Sequence, residues 1–185
     1  GDDVDTFAAR AVAKLGLPLF VKPTDGGSSF GISRVTEAAA LADAVNYAFT
    51  EGDSVIVAKS VPGREFTCAV YRDGVSSKAL PVIEIVSEND YFDYDAKYNG
   101  HSQELCPAPI DDSLRDEIQK TSCRIYDYLG CKGIVRIDYI SSEDGLYFLE
   151  VNTIPGMTSA SLVPKMVRAA GMDMTAFLTG IIENS

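Results

Sequence analysis

The chain is short of several things, and each shortage excludes a class of protein. A single histidine, His101, occurs in 185 residues. It has no histidine or cysteine partner nearby, which leaves nothing to build a zinc site on. No nucleophile-elbow pattern accompanies it, so a Ser-His-Asp hydrolase is discounted as well. The four cysteines, Cys68, Cys106, Cys123 and Cys131, form no C-x-x-C pair. They read as the reduced thiols of a cytoplasmic protein. No apolar run reaches the length of a membrane span, and no charged-then-apolar leader opens the chain. Positive charge is scarce too. Sixteen basic residues against 27 acidic ones leave a formal charge of −11, which argues against nucleic acid or an anionic membrane as partner. What remains is a globular composition with 46% hydrophobic residues. A chain of this size buries roughly two-thirds of its unfolded surface and needs neither disulfide nor metal to hold together. It opens on Gly1 rather than methionine, and so reads as a fragment of something longer.

Periodicity divides the chain in two. Val4, Phe7, Ala8, Ala11, Val12 and Leu15 recur at helical spacing over Asp2–Leu15, and Gly16 stops them. Leu19-Phe20-Val21 forms a short strand leading into the glycine-rich stretch from Asp25 to Gly31. Thr36 and Glu37 open a helix predicted to reach Phe49, and Val55–Lys59 is a second strand. From Glu65 onward strands dominate: Phe66–Tyr71 and Lys78–Val86 about the turn Arg72-Asp73-Gly74, then Gly133–Ile140 and Leu146–Val151 as a hairpin. A helix is predicted from Asp111 to Leu129, and two more between Ser161 and Ile182. The irregular stretch Ser87–Ile110 is long for a compact domain, and such segments are usually functional or disordered.

Two features carry chemistry. Gly26-Gly27-Ser28-Ser29-Phe30-Gly31 has backbone N–H groups free to cup a phosphate, with hydroxyl donors beside them. Ile32-Ser33 follows where a Walker A loop needs Lys-Ser/Thr, so the loop is either a flexible turn or a different kind of anion clamp. Lys22, just upstream, favours the clamp. In the hairpin, Arg136 and Asp138 alternate on one strand, and Glu150 and Asn152 on the next. A turn centred near Glu143 sets Arg136 opposite Glu150 and gathers all four on one face, with Val135, Ile137, Leu149 and Val151 on the other. Two carboxylates and an amide oxygen suit Mg²⁺, and the arginine suits a phosphoryl group. The competing reading is a solvated face of an antiparallel sheet.

Seven motifs then occur in order: Phe-Val-Lys-Pro around Lys22, Gly-Ser-Ser-Phe-Gly at 27–31, Pro-Gly-Arg-Glu-Phe-Thr at 62–67, Tyr-Asp-Ala-Lys-Tyr at 94–98, Cys-Pro-Ala-Pro at 106–109, Gly-Ile-Val-Arg-Ile-Asp at 133–138 and Glu-Val-Asn-Thr-Ile-Pro-Gly-Met-Thr-Ser at 150–159. Across nearly the whole chain they resemble the ATP-grasp portion of D-alanine–D-alanine ligases. The resemblance implies an α+β (α/β) ATP-grasp fold, with two lobes clasping ATP and mostly antiparallel sheets flanked by helices. Residues 1–58 would be part of the small lobe, and 59–185 the large lobe with a mobile ω-loop at about 87–110.

The resemblance also implies roles. Lys22 and Lys59 would contact the ATP phosphates, Glu65 the ribose hydroxyls, and Tyr91 and Leu149 the adenine. Gly27, Ser28, Ser29 and Gly31 would close over the terminal phosphate. Lys97 would reach the γ-phosphate, while Tyr98 would lock to Ser28. Asp138, Glu150 and Asn152 would hold two Mg²⁺ ions, with Mn²⁺ as a substitute. Arg136 and the Gly156 N–H would stabilise charge on the reacting carboxyl, and Ser161 and Leu162 would receive the second amino acid. The implied reaction is ATP-dependent joining of two D-alanines through an acyl phosphate, in cytoplasmic peptidoglycan precursor synthesis for cell wall and cell shape. The chain departs from the pattern at Ala58 and Ser60, which leaves strand backbone groups to hold the adenine, and at Gly26, which stands where the glycine loop often has an acid. Alternatives are a D-alanine–D-serine or D-alanine–D-lactate ligase and a non-catalytic ATP-binding module. Tyr98 speaks for an amine nucleophile over lactate, and the intact set Arg136, Asp138, Glu150 and Asn152 speaks against the module. An N-terminal domain that binds the first D-alanine and dimerises the parent is expected beyond this chain, so that the fragment alone is expected to be inactive.

Overall fold

The computed structural model describes residues 3–25, 30–87 and 102–184. They fall into two units that divide between Val61 and Pro62. In the first, helix α1 (Val4–Leu15) begins at Asp3, whose carboxylate accepts the Thr6 N–H at 2.8 Å. That bond caps an otherwise orphan donor and holds the Asp3 carboxyl below the usual carboxylate range. Three antiparallel strands, β1 (Leu19–Pro23), β2 (Ser33–Val35) and β3 (Val55–Lys59), are ordered β2-β1-β3. Leu19 and Val21 alternate inward from β1 and meet Ala8 and Ala11 of α1 and Leu41, Val45 and Ala48 of α2 (Leu41–Phe49) in one buried cluster. The helix predicted from Thr36 starts later. A 3₁₀ turn over Ala38–Ala40 precedes it, with Glu37 at its cap making no side-chain bond. Strand β2 carries too little apolar sequence to announce itself.

The second unit is built on a sheet ordered β7-β6-β4-β8-β9, its strands being β4 (Arg64–Arg72), β6 (Ile83–Ser87), β7 (Ser102–Leu105), β8 (Ile134–Ser142) and β9 (Gly145–Asn152). A short β5 (Ser77–Ala79) pairs with the far end of β4. The single strand predicted over Lys78–Val86 is thus two, interrupted at Leu80-Pro81-Val82. Proline has no N–H to give a ladder; before it Leu80 N still reaches Ala69 O of β4 at 2.8 Å, while after it the Val82 carbonyl accepts from Ala108 N at 2.8 Å instead of from a strand. Part of the stretch predicted to be irregular is strand β7, paired with β6; positions 88–101 lie outside the described residues.

Helix α3 (Asp112–Tyr128) covers one face of this sheet. Its Ile118 and Tyr126 pack with Phe66, Cys68, Val70, Val135, Ile137 and Tyr139, and its buried Ser122 hydroxyl meets the Tyr139 hydroxyl at 2.8 Å. Asp111 caps the start through Leu114 N at 2.9 Å. At the other end Cys131 N bonds Tyr126 O at 3.0 Å and Gly130 N bonds Asp127 O at 3.1 Å, with Gly130 at φ +63°, where a side chain would be strained. Helices α4 (Leu162–Ala169) and α5 (Met174–Glu183) follow β9, with Phe177 edge-on to Tyr71 at 4.9 Å between ring centres. Among the described residues no helix is long and apolar enough to cross a membrane.

Cys68 sits in the middle of this core, and burial pushes its thiol up to about 12. It is therefore expected to stay unmodified by a thiol reagent at pH 8 until the chain unfolds, whereas half-buried Cys123 and Cys131 react earlier. A raised thiol pKa also has a sign for stability. The unfolded thiol starts to ionise near about 8.5, the folded one only near 12. The contribution is complete below the lower value and is lost as pH rises towards the higher one. Denaturant midpoints that fail to decline between these pH values would contradict the burial assigned to Cys68.

Candidate active site

The face of the large sheet turned away from α3 is built by alternation. On β4 it is Glu65, Thr67 and Ala69, which pair with Ile140, Asp138 and Arg136 of β8. On β9 it is Glu150 and Asn152, which pair with Asp138 and Arg136. The structure thus gathers Arg136, Asp138, Glu150 and Asn152 on one face and adds Glu65 and Thr67. Burial decides between the two readings of that face. At its centre the Arg136 and Asp138 side chains are only 20% and 21% exposed, which is not a solvated surface, while Glu150 on the edge strand β9 is exposed.

A local irregularity makes this arrangement. At the hairpin tip Ser142 pairs with Gly145, and the ladder runs regularly to Tyr139 opposite Phe148. It then shifts by one residue, so that Asp138 faces Glu150 and Leu149 is left without a partner. Continued without the shift, the ladder would set Leu149 opposite Asp138 and turn Glu150 towards the core with Ile137. The bulge restores the polar pair to the polar face. The register expected about Glu143 is corrected accordingly: Arg136 lies opposite Asn152, not Glu150. Leu149 also leaves the apolar layer expected for it and is exposed on the bulge, while Val151 stays against the core.

Asp138 is the hub. One of its oxygens accepts from Thr67 Oγ1 at 2.6 Å and Arg136 Nε at 3.0 Å. The other accepts from Arg136 Nη2 and Asn152 Nδ2, both at 2.9 Å. Burial works to lower the Arg136 pKa, but its hydrogen bonds to Asp138 and the charges of Asp138, Glu150 and Glu104 outweigh it and hold the guanidinium above its ordinary value. Glu104, from β7, is ion-paired with Lys165 of α4. Among the described residues no three His, Cys, Asp or Glu side chains cluster as a metal site. Any cation here would use the Asp138 and Glu150 carboxylates with the Asn152 carboxamide, a hard oxygen set that suits Mg²⁺. This donor chemistry fits the ion that the motifs imply.

After β9 the chain makes a tight loop. Ser161 stands at the N-cap of α4 but does not cap it with its side chain. Its hydroxyl accepts from Thr158 N at 3.1 Å and meets Thr158 Oγ1 at 2.8 Å. A Cβ on Gly156 would lie 2.9 Å from Ser161 Oγ, so the two residues are in contact. Gly156→Ala is expected to displace the Ser161 hydroxyl and break its bonds to Thr158, lowering stability by about 1 kcal/mol. A thermal midpoint equal to the parent's would show that the loop absorbs a methyl group freely. Leu162 is the first residue of α4 and is partly buried.

In the first unit, Lys22 shares a sheet face with Phe20, Ile56 and Ala58, and Lys59 lies opposite Leu19 on the other face. The structure does not bring the two lysines together. Gly31 takes φ +71°, and a Cβ there would meet Glu51 and Pro23 at 3.0 and 3.1 Å. Gly26, Gly27, Ser28, Ser29, Tyr91, Lys97 and Tyr98 lie outside the described residues. Sequence reasoning missed Thr67, Glu104 and Lys165. Thr67 gave one signal, a polar residue two positions from Glu65 in an apolar strand, but its burial was not visible there.

Comparison with known proteins agrees with this architecture. The family model described as "D-ala D-ala ligase C-terminus" matches residues 2–183. The curated D-alanine–D-alanine ligase of Azobacteroides pseudotrichonymphae is 50% identical over 177 residues, covering 95% of this chain and 55% of its own length. That of Porphyromonas gingivalis strain W83 is 47% identical over 185 residues, covering all of this chain and 56% of the relative. The chain therefore spans about half the length of the curated relatives it matches. Among solved structures, the VanG D-Ala:D-Ser ligase of Enterococcus faecalis superposes with a TM-score of 0.84 at 36% identity, covering 97% of this chain and 53% of the other. The D-alanine–D-alanine ligase of Bacillus anthracis complexed with ATP gives 0.74 at 31%, covering 94% and 52%. With its antiparallel sheets and flanking helices, the chain has the ATP-grasp fold of these ligases and belongs to the D-alanine–D-alanine ligase C-terminal family.

Proposed function

We propose that this chain is the nucleotide- and metal-handling part of an ATP-dependent ligase that joins two D-alanines for peptidoglycan precursor synthesis. The observation that carries the reading is the convergence of Arg136, Asp138, Glu150 and Asn152 on one face of the second unit, with Arg136 and Asp138 largely shielded from solvent. A protein that only held nucleotide would have no use for a guanidinium and two carboxylates so arranged. When bound between Asp138, Glu150 and Asn152, Mg²⁺ would neutralise phosphate charge. Arg136 would stabilise negative charge developing on the reacting carboxyl, with the Gly156 N–H as a second donor. Glu65, on the same sheet face as Asp138, would take the ribose hydroxyls, and the exposed Leu149 would border the adenine. Lys22 would meet the phosphates, with the 27–31 loop and Lys97 closing over them. Lys59 lies on the other face of its sheet from Lys22, so Lys22 is the lysine we place first at the phosphates. Ser161 and Leu162, at the start of α4, would receive the second amino acid, and Tyr98 would select an amine. The parent would work in the cytoplasm as a dimer.

A second reading, D-alanine–D-serine ligation, draws support from the likeness to the VanG D-Ala:D-Ser ligase. The two separate in one experiment: ATP-dependent phosphate release by the full-length protein with D-alanine alone, then with D-serine or D-lactate added. Release driven by D-alanine alone is the expected result. No release with D-alanine, whatever the co-substrate, would sink both readings.

A further inference from the structure

Thr67 is buried to 2% exposure in the middle of β4, yet it is polar and lies on the face that carries the acidic cluster. Its hydroxyl has two acceptors in reach: Asp138 Oδ1 at 2.6 Å and, more weakly, the Ile137 carbonyl at 3.4 Å. The short bond marks Asp138 as its principal partner. A carboxylate turns broadly about its last torsion, and the set of donors around it decides where its lone pairs point. For Asp138 those donors divide unequally. Arg136 and Asn152 come from flexible side chains on the same hairpin. Thr67 alone comes from the neighbouring central strand, with a stiff β-branched side chain locked by packing. Arg136 and Asn152 each have other work in the proposed reaction, charge stabilisation for one and metal ligation for the other, whereas Thr67 has no role there besides its bond to Asp138.

We infer that Thr67 is a positioning residue for the metal site: it fixes the orientation in which the Asp138 carboxylate is presented to the cation. The inference rests on the reading of Asp138 as a metal ligand. It places a third strand, β4, behind a site whose ligands all come from the hairpin. Partners behind metal ligands of this sort change metal affinity by about 10- to 100-fold when removed.

The test is Mn²⁺ binding to the full-length protein in the presence of ADP, followed by the loss of free-ion electron paramagnetic resonance signal, with the thermal midpoint measured alongside. Thr67→Val keeps the shape and removes the hydroxyl, and is expected to weaken Mn²⁺ binding at least tenfold. Thr67→Ser keeps the hydroxyl and is expected to stay within threefold of the parent. A filler role would instead lower the midpoint in the serine variant, which loses a methyl group, and leave Mn²⁺ affinity unmoved in the valine variant. That pattern overturns the inference. Asp138→Asn serves as the reference. If it abolishes Mn²⁺ binding while Thr67→Val does not weaken it, the positioning role is wrong and the metal reading stands. If Asp138→Asn binds Mn²⁺ as the parent does, both fall together.

Discussion

Arg136→Lys is expected to lower the kcat of ligation by the full-length protein by about 10²–10³-fold, the scale seen when one preorganised donor to a developing anion is removed. The ATP KM should change far less. Lysine keeps the charge but not the fork. Arg136 grips Asp138 through Nε and Nη2 together, at 3.0 and 2.9 Å, a two-pronged geometry that an ammonium cannot reproduce. The site is shielded, so a charge a little out of place is not averaged away by water. Half of the four hydrogen bonds to Asp138 come from Arg136, which makes some disturbance of that carboxylate unavoidable. Single-turnover and steady-state phosphate release, compared at saturating ATP, separate the two effects. A kcat within threefold of the parent's would remove Arg136 from the chemistry and leave it a structural partner of Asp138.

One residue along the same strand, the expected result concerns stability instead. Ile137 points the opposite way from Arg136 and Asp138, is fully buried, and belongs to the cluster under α3. Ile137→Ala should cost about 2–5 kcal/mol, the sum of lost transfer energy and the cavity left behind. For a unit of this size the thermal midpoint should fall by on the order of 10 °C or more. Ile137→Val, which removes a single methyl group, should cost only about 0.5–1.5 kcal/mol. The neighbours best placed to close the cavity, Cys68 across the ladder and Tyr126 on α3, are held by strand pairing and by a hydrogen bond from the Tyr126 hydroxyl to the Gly133 carbonyl at 3.0 Å. They have little room to relax. A fall below about 2 °C for the alanine variant would show that this core is looser than its burial indicates.

The two substitutions differ because a strand turns successive side chains to opposite faces, and that much is legible in the order of residues. The period of two in Val135-Arg136-Ile137-Asp138 separates core from site by itself. Helix ends are legible for a similar reason, since Asp3, Asp111 and Gly130 satisfy backbone groups within a few residues of themselves. The break at Pro81 is readable in principle but is masked by the apolar run around it. The Leu149 bulge is not readable, because a ladder's register depends on which partner residue each strand position meets.

By itself, then, the order of residues determined the alternation of the hairpin strands, most helix starts, the lack of a pattern for a zinc centre or hydrolase triad, and a series of motifs particular enough to point to the family. These are properties of neighbouring positions or of covalent order. Only the tertiary structure decided that Arg136 and Asp138 on the polar face are shielded, that Asp138 meets Glu150 while Arg136 meets Asn152, and that Thr67 of another strand reaches the Asp138 carboxylate. The side chains of Thr67 and Asp138 are brought within 2.6 Å by pairing between strands far apart in the chain, and burial and register exist only once such pairing has formed.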